Sequence, residues 1–234
     1  MTGKRGPSWP RAIGVELIQD ISAISAPISG FLRRHRHRVK TSLDDGTRTD
    51  AYVADFVDRA PDRRNAIACA VYARTADLGS TRLLLRRQVR YAAFLVTGQP
   101  LTTELIAGLI EGDETPEDCA VRELYEEAGL TVELTAVTRL GLPFFILPGV
   151  LTERIYPVAV EVPEAALEAA LGELPPGDGS PFEEGAELIA PTLAEAYAMM
   201  DVPASGDPAA RFIADAKTEL ILDRLRRRLA EPGQ

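Results

Sequence analysis

Apolar residues along this chain follow two rhythms, and these divide it into elements. Residues 66–72 (Ala-Ile-Ala-Cys-Ala-Val-Tyr) and 82–89 are short apolar, β-rich runs of strand length. Residues 104–107, 144–147 and 154–162 read as further strands. Between 38 and 57, two strand-like stretches flank Asp44-Asp45-Gly46, a good hairpin turn. Helical spacing appears at 116–128, where Ala120, Val121, Leu124 and Ala128 form an apolar stripe. It appears again at about 208–229, with Phe212, Ile213, Ala216, Leu220, Leu222 and Leu225. Residues 13–32 are of mixed apolar character and predict a helix broken at Pro27. The first ten residues read as loosely ordered, and 175–185 (Pro-Pro-Gly-Asp-Gly-Ser-Pro-Phe-Glu-Glu-Gly) as a long flexible loop.

The 116–128 helix carries its own boundary signals. Thr115 is a natural N-cap, Pro116 suits the first helical position, and Asp118 completes a capping-box pattern. Gly129 can take the left-handed conformation that ends a helix. Glu123, Glu126 and Glu127 stand at i, i+3 and i+4, which predicts one shared face opposite the apolar stripe. Residues 111–127 hold eight acids (Glu111, Asp113, Glu114, Glu117, Asp118, Glu123, Glu126, Glu127) against one base, Arg122. Like charges at i, i+4 cost a helix about 0.2–0.5 kcal/mol per pair. Two readings stand side by side: a solvated acidic helix, or oxygen ligands for a hard divalent cation.

Composition sets the frame. A chain of 234 residues, 46% hydrophobic, can bury one good core, which predicts one main domain with an N-terminal extension. The net charge of −9 argues against nonspecific nucleic-acid binding, and the basic run Arg33-Arg34-His35-Arg36-His37-Arg38 reads as a solvated face. His35 and His37 are the only histidines, so no histidine-based metal or nucleophile site is supported. Cys69 and Cys119 read as small core residues. Glu16 and Asp20 interrupt the N-terminal apolar stretch, and the start lacks a signal-peptide layout; the expectation is a cytoplasmic protein with no membrane partner.

Residues 108–130 fit the pattern G-x5-E-x7-R-E-U-x-E-E-x-G-U, with U aliphatic, at Gly108, Glu114, Arg122, Glu123, Leu124, Glu126, Glu127, Gly129 and Leu130. This resembles the Nudix box of the Nudix hydrolase superfamily. The resemblance implies an α+β fold, an α/β/α sandwich with a mixed central sheet. Residues 63–230 would form the catalytic domain, 38–62 an N-terminal β-hairpin and possible dimerisation element, and 1–37 a partly flexible extension. By the same resemblance Glu123, Glu126, Glu127 and the Ala107 backbone carbonyl would hold Mg²⁺ or Mn²⁺. Glu114 and Arg122 would stand behind them and orient them.

Outside the box, Arg86-Arg87-Gln88-Val89-Arg90 followed by Glu104-Leu105-Ile106-Ala107-Gly108 resembles the R-Q-x-R … E-x-x-A-G pattern of ADP-ribose and nucleotide-sugar pyrophosphatases. Pro148-Gly149 with Glu153, and Asp215-Ala216-Lys217-Thr218, are similar to later parts of that group, with Glu153 read as a loop charge. The resemblance implies substrate contacts from Arg87, Arg90 and Glu104. It also implies a general base on the loop 178–187, for which Glu183, Glu184 and Glu187 are candidates; Glu184 is preferred as base and Glu187 as a metal ligand. Glu126 and Glu127 join Glu184 as the catalytic set. The implied reaction is hydrolysis of ADP-ribose to AMP and ribose 5-phosphate, with UDP-glucose or GDP-mannose as alternative substrates. A non-catalytic ADP-ribose sensor is the reading from another class. Relatives of this group also imply a homodimer.

Overall fold

The computed structural model describes residues 32–42, 49–59, 65–172, 175, 177, 185–203 and 209–231. The predicted 13–32 helix (but for Leu32), the turn at 44–46 and most of the 175–185 loop lie outside them.

The central sheet grows from β3 (Asn65–Ala73) and β4 (Arg82–Val89), an antiparallel pair. β9 (Arg154–Glu161) lies parallel to β3 along its whole length, so the sheet is mixed. The order is β10-β4-β3-β9-β7, with β10 (Glu187–Ile189) and β7 (Val137–Arg139) at the ends of the path. β5 (Leu101–Glu104) extends β4, β6 (Ile106–Leu109) extends β3, and β8 (Phe144–Phe145) joins β9. The single strand expected at 104–107 is therefore two. The chain breaks at Leu105, whose N–H is taken by the Thr218 hydroxyl at 3.0 Å instead of a strand partner.

β3 explains the layers. Ala66, Ala68 and Ala70 point to one face, and Ile67, Cys69 and Val71 to the other; all are buried. The first face packs against α4 (Leu193–Met200) and α5 (Ala216–Ala230), through Leu193, Ala196, Ile221, Leu222 and Leu225. The second packs against α2 (Pro116–Ala128) and α3 (Glu164–Gly172), through Cys119, Ala120, Leu124, Leu167 and Ala170. This is the expected α/β/α sandwich.

Helices α3, α4 and the short α1 (Tyr91–Thr97) were not expected from periodicity. The last helix starts at Ala216, not near 208, because Asp215 caps it by accepting from the Thr218 N–H. Phe212 and Ile213 are still buried, ahead of the helix. The N-terminal hairpin pairs β1 (Leu32–Val39) with β2 (Tyr52–Arg59) in a separate two-stranded sheet. It therefore takes in the basic run, of which Arg33 forks onto the buried Asp58 at 3.0 and 3.1 Å, and Arg34 and Arg36 approach Asp55. β2 is tied to the domain by Val57 N–H to the Val150 carbonyl, 2.7 Å. No helix among the described residues is long and apolar enough to cross a membrane.

Candidate active site

The glutamates of α2 are set by how that helix begins. The Thr115 hydroxyl accepts from Asp118 N–H at 3.1 Å and Asp118 accepts from Thr115 N–H at 3.0 Å, the capping box read from the sequence. Gly129, at φ 66°, ends the helix in the left-handed region. With the helix so phased, Glu123 and Glu127 are buried and Glu126 is half-buried. The expected acidic face opposite the apolar stripe is not what forms. At about 100° per residue, Glu127 lies only ~60° from Leu124 and ~20° from Ala120, so it flanks the stripe and faces the sheet. Cys119 joins that stripe, and Val121 stays half-buried.

Burying two carboxylates requires partners. Arg122 Nη1 donates to Glu123 Oε1 at 2.7 Å and to Glu126 Oε2 at 2.9 Å. Its Nε and Nη2 reach Glu114 at 2.8 and 3.2 Å, and Nη2 also reaches the Leu109 carbonyl at 2.9 Å. The Arg122 hydrogen bond holds the Glu114 carboxyl below the usual carboxylate range. Glu127 is met from the sheet: Arg86 Nη1, on β4, contacts Oε1, and Ala107 N–H donates to Oε2 at 3.3 Å. Gly108 is fixed by space, since a Cβ there would fall 1.6 Å from Glu123 Oε1.

Among the described residues no three His, Cys, Asp or Glu side chains enclose a point where an ion would sit. What α2 presents is a flank of carboxylates, oxygen donors only, laid over the backbone of Ala107 and Gly108. Magnesium is held by one or two carboxylates, with waters and substrate phosphates completing its shell. The donor set fits such a cation.

A second charged group lies at the end of β5. Glu104 is 3% exposed and receives the Arg90 fork at 2.8 and 2.9 Å, Lys217 Nζ at 2.8 Å and the Thr102 hydroxyl at 2.7 Å. Burial alone would raise its pKa; Arg90 and Lys217 outweigh that and hold the carboxyl well below the usual range. Lys217 also bonds Asp215, the cap of α5, at 2.8 Å. Arg90 keeps 46% of its side chain exposed while Glu104 fixes the direction of its guanidinium.

A third group stands apart. Arg87 is 3% exposed, contacts Glu187 and donates to the Ala210 carbonyl at 2.8 Å. Arg87 and Glu187 are opposite each other in the β4–β10 pairing, on the face that Leu85 and Ile189 share with α4 and α5. Arg86 points the other way, toward α2. The structure thus brings Ala107, Glu114, Arg122, Glu123, Glu126 and Glu127 together and pairs Arg90 with Glu104, but sets Arg87 and Glu187 in a separate buried pair. Glu183 and Glu184 lie outside the described residues. Gly177, on the same loop, donates its N–H to the Glu126 carbonyl at 2.8 Å. Glu153 is buried against Arg59 of β2, not a free loop charge.

Sequence reasoning passed over Arg86 and Lys217. Strand alternation carries the signal for Arg86: on one strand Arg86 and Arg90 share a face that Arg87 cannot. Nothing local marks Lys217, whose partner Glu104 is 113 residues away.

Residues 62–203, more than half of the chain, match the family model described as the NUDIX domain. Curated ADP-ribose pyrophosphatases from Escherichia coli (strain K12) and Haemophilus influenzae are 42% identical over 72 residues and 43% identical over 74. These stretches cover 31% of this chain and 33% and 32% of those proteins, so the match spans about a third of the curated relatives' length. A solved structure described as an ADP compounds hydrolase shares the fold, with TM-score 0.55 and 18% identity over 83% of this chain and 85% of that one.

Proposed function

The chain belongs to the Nudix family, and from that premise we propose that it hydrolyses a nucleoside diphosphate linked to a second moiety, with ADP-ribose the favoured substrate. The observation that carries this reading is the carboxylate flank of Glu123, Glu126 and Glu127, packed over Ala107 and Gly108 and steadied by Arg122 and Glu114. Support for ADP-ribose comes from the printed names of the matching relatives.

Glu123, Glu126 and Glu127, with the Ala107 backbone, would hold Mg²⁺ or Mn²⁺. When bound, such a cation neutralises pyrophosphate oxygens and lowers the pKa of a water. Glu104, anchored by Lys217, takes the Nε and Nη2 of Arg90 and fixes its direction, which leaves the Nη1 edge of the guanidinium for a phosphate oxygen. Arg122 keeps Glu123 and Glu126 from swinging into solvent. A water oxygen forms a bond to one phosphorus while the bridging P–O bond opposite it breaks, and the water's proton passes to Glu184, the assigned base. For ADP-ribose the products are AMP and ribose 5-phosphate. Glu187, three residues from Glu184 in the sequence, is held in a buried contact with Arg87. We place the enzyme in the cytoplasm as a homodimer, its hairpin supplying the interface through the exposed Leu32, Tyr52 and Val53.

The test is product analysis by anion exchange after incubation with ADP-ribose, UDP-glucose or GDP-mannose, each with Mg²⁺ or with chelator. AMP formed from ADP-ribose only with Mg²⁺, ahead of the other two, is the expected result. Preferential UMP or GMP release would shift the substrate to the nucleotide sugars, and turnover in chelator would refute the metal assignment.

A further inference from the structure

We propose that Arg86 is a built-in counter-cation of the metal site, one that competes with the divalent ion for Glu127. The inference rests on the reading of the α2 glutamates as metal ligands and goes beyond it, because no part of the box specifies a cation arriving from the sheet. Arg86 is 4% exposed, on the face of β4 that looks toward α2, and its Nη1 contacts Glu127 Oε1. The other Glu127 oxygen takes the Ala107 N–H.

The two arginines of the site are built differently. Arg122 stands on α2 itself, keeps 27% of its side chain exposed, and divides its fork among Glu114, Glu123 and Glu126. That is the arrangement of a group that orients ligands. Arg86, like Arg122, contacts a ligand oxygen directly, but it is locked between sheet and helix, where water cannot screen its charge. A divalent ion approaching Glu127 meets a positively charged partner already seated on Oε1. Arg86 therefore keeps the buried carboxylate satisfied without metal and lowers the affinity for metal.

The test is Mn²⁺ binding to the full-length protein, followed by the loss of the free-ion EPR signal, together with melting temperature in chelator. Arg86→Met is expected to bind Mn²⁺ about tenfold tighter than wild type and to melt lower in chelator, because it leaves the buried Glu127 without a charged partner from the sheet, with only the Ala107 N–H on its other oxygen. Arg86→Lys, which keeps the charge, is expected to retain an affinity near wild type. Should Arg86→Met fail to fold, Arg86→Gln, with its amide donor beside Glu127, carries the same expectation of tighter binding. Unchanged Mn²⁺ affinity in the neutral variants, or the roughly 10–100-fold loss that follows removal of an orienting partner, would overturn the proposal while leaving the metal site standing. A wild-type protein that binds no Mn²⁺ would overturn the metal reading itself and this inference with it.

Discussion

At the scale of single residues, the site is governed by which charges are buried together. Glu104 is the sharpest case: nearly inaccessible, yet ionised because Arg90, Lys217 and Thr102 surround it. Its pKa in the folded protein is depressed below the ordinary 4.5. Its contribution to stability is therefore fully present above that value and is lost as the pH falls from there toward the depressed folded pKa. Glu104→Gln is expected to cost about 3 kcal/mol at pH 7, with the gap to wild type narrowing below pH 4.5; urea melts across pH 3–7 measure it. A gap constant over that range would show that the carboxylate's charge is not what stabilises this corner. The box residues were legible in the sequence because their spacing is rigid along one helix. Arg86 and Lys217 were not, since their roles depend on strands and helices meeting from distant parts of the chain.

At the scale of elements, α2 was readable almost to the residue, because its cap, its proline and its terminal glycine are all local signals. The direction of its glutamates was misjudged for a simple reason. Spacing at i, i+3 and i+4 reads as one face opposite the stripe, whereas the same helical geometry puts Glu127 beside Ala120, and paired arginines make burial tolerable. Periodicity missed α3 and α4, which are eight or nine residues long and leave little room for a repeat. β4 shows the converse lesson: consecutive arginines have opposite duties, Arg86 toward α2 and Arg87 toward Glu187 and the Ala210 carbonyl. Arg87→Met is expected to lower stability by about 3–5 kcal/mol, because Glu187 is left buried without its main partner. Adding Glu187→Leu should recover much of that loss. Denaturant unfolding of the single and double variants reads the coupling directly, and additive losses would mean that the pair does not hold β10 to β4.

At the scale of the whole molecule, the sandwich lays α2 over the β6 strand on one side of the sheet and sets the Arg87–Glu187 pair on the other. The Gly177 N–H meets α2 at the Glu126 carbonyl. The hairpin reaches the rest of the protein through Val57 and the Arg59–Glu153 contact, leaving Tyr52 and Val53 outward. Light scattering should find two copies for wild type and one for Val53→Asp with Tyr52→Asp; a wild-type monomer would remove the dimer from the account. In the proposed reaction the α2 carboxylates would hold the ion that drives hydrolysis. The most direct test of that role is the Mg²⁺-dependent rate of AMP release from ADP-ribose by Glu127→Gln, with circular dichroism as the control for folding. A folded variant slowed at least about a hundredfold is expected, the scale of about 3 kcal/mol of lost transition-state stabilisation. A folded variant that turns over at the wild-type rate would contradict that role.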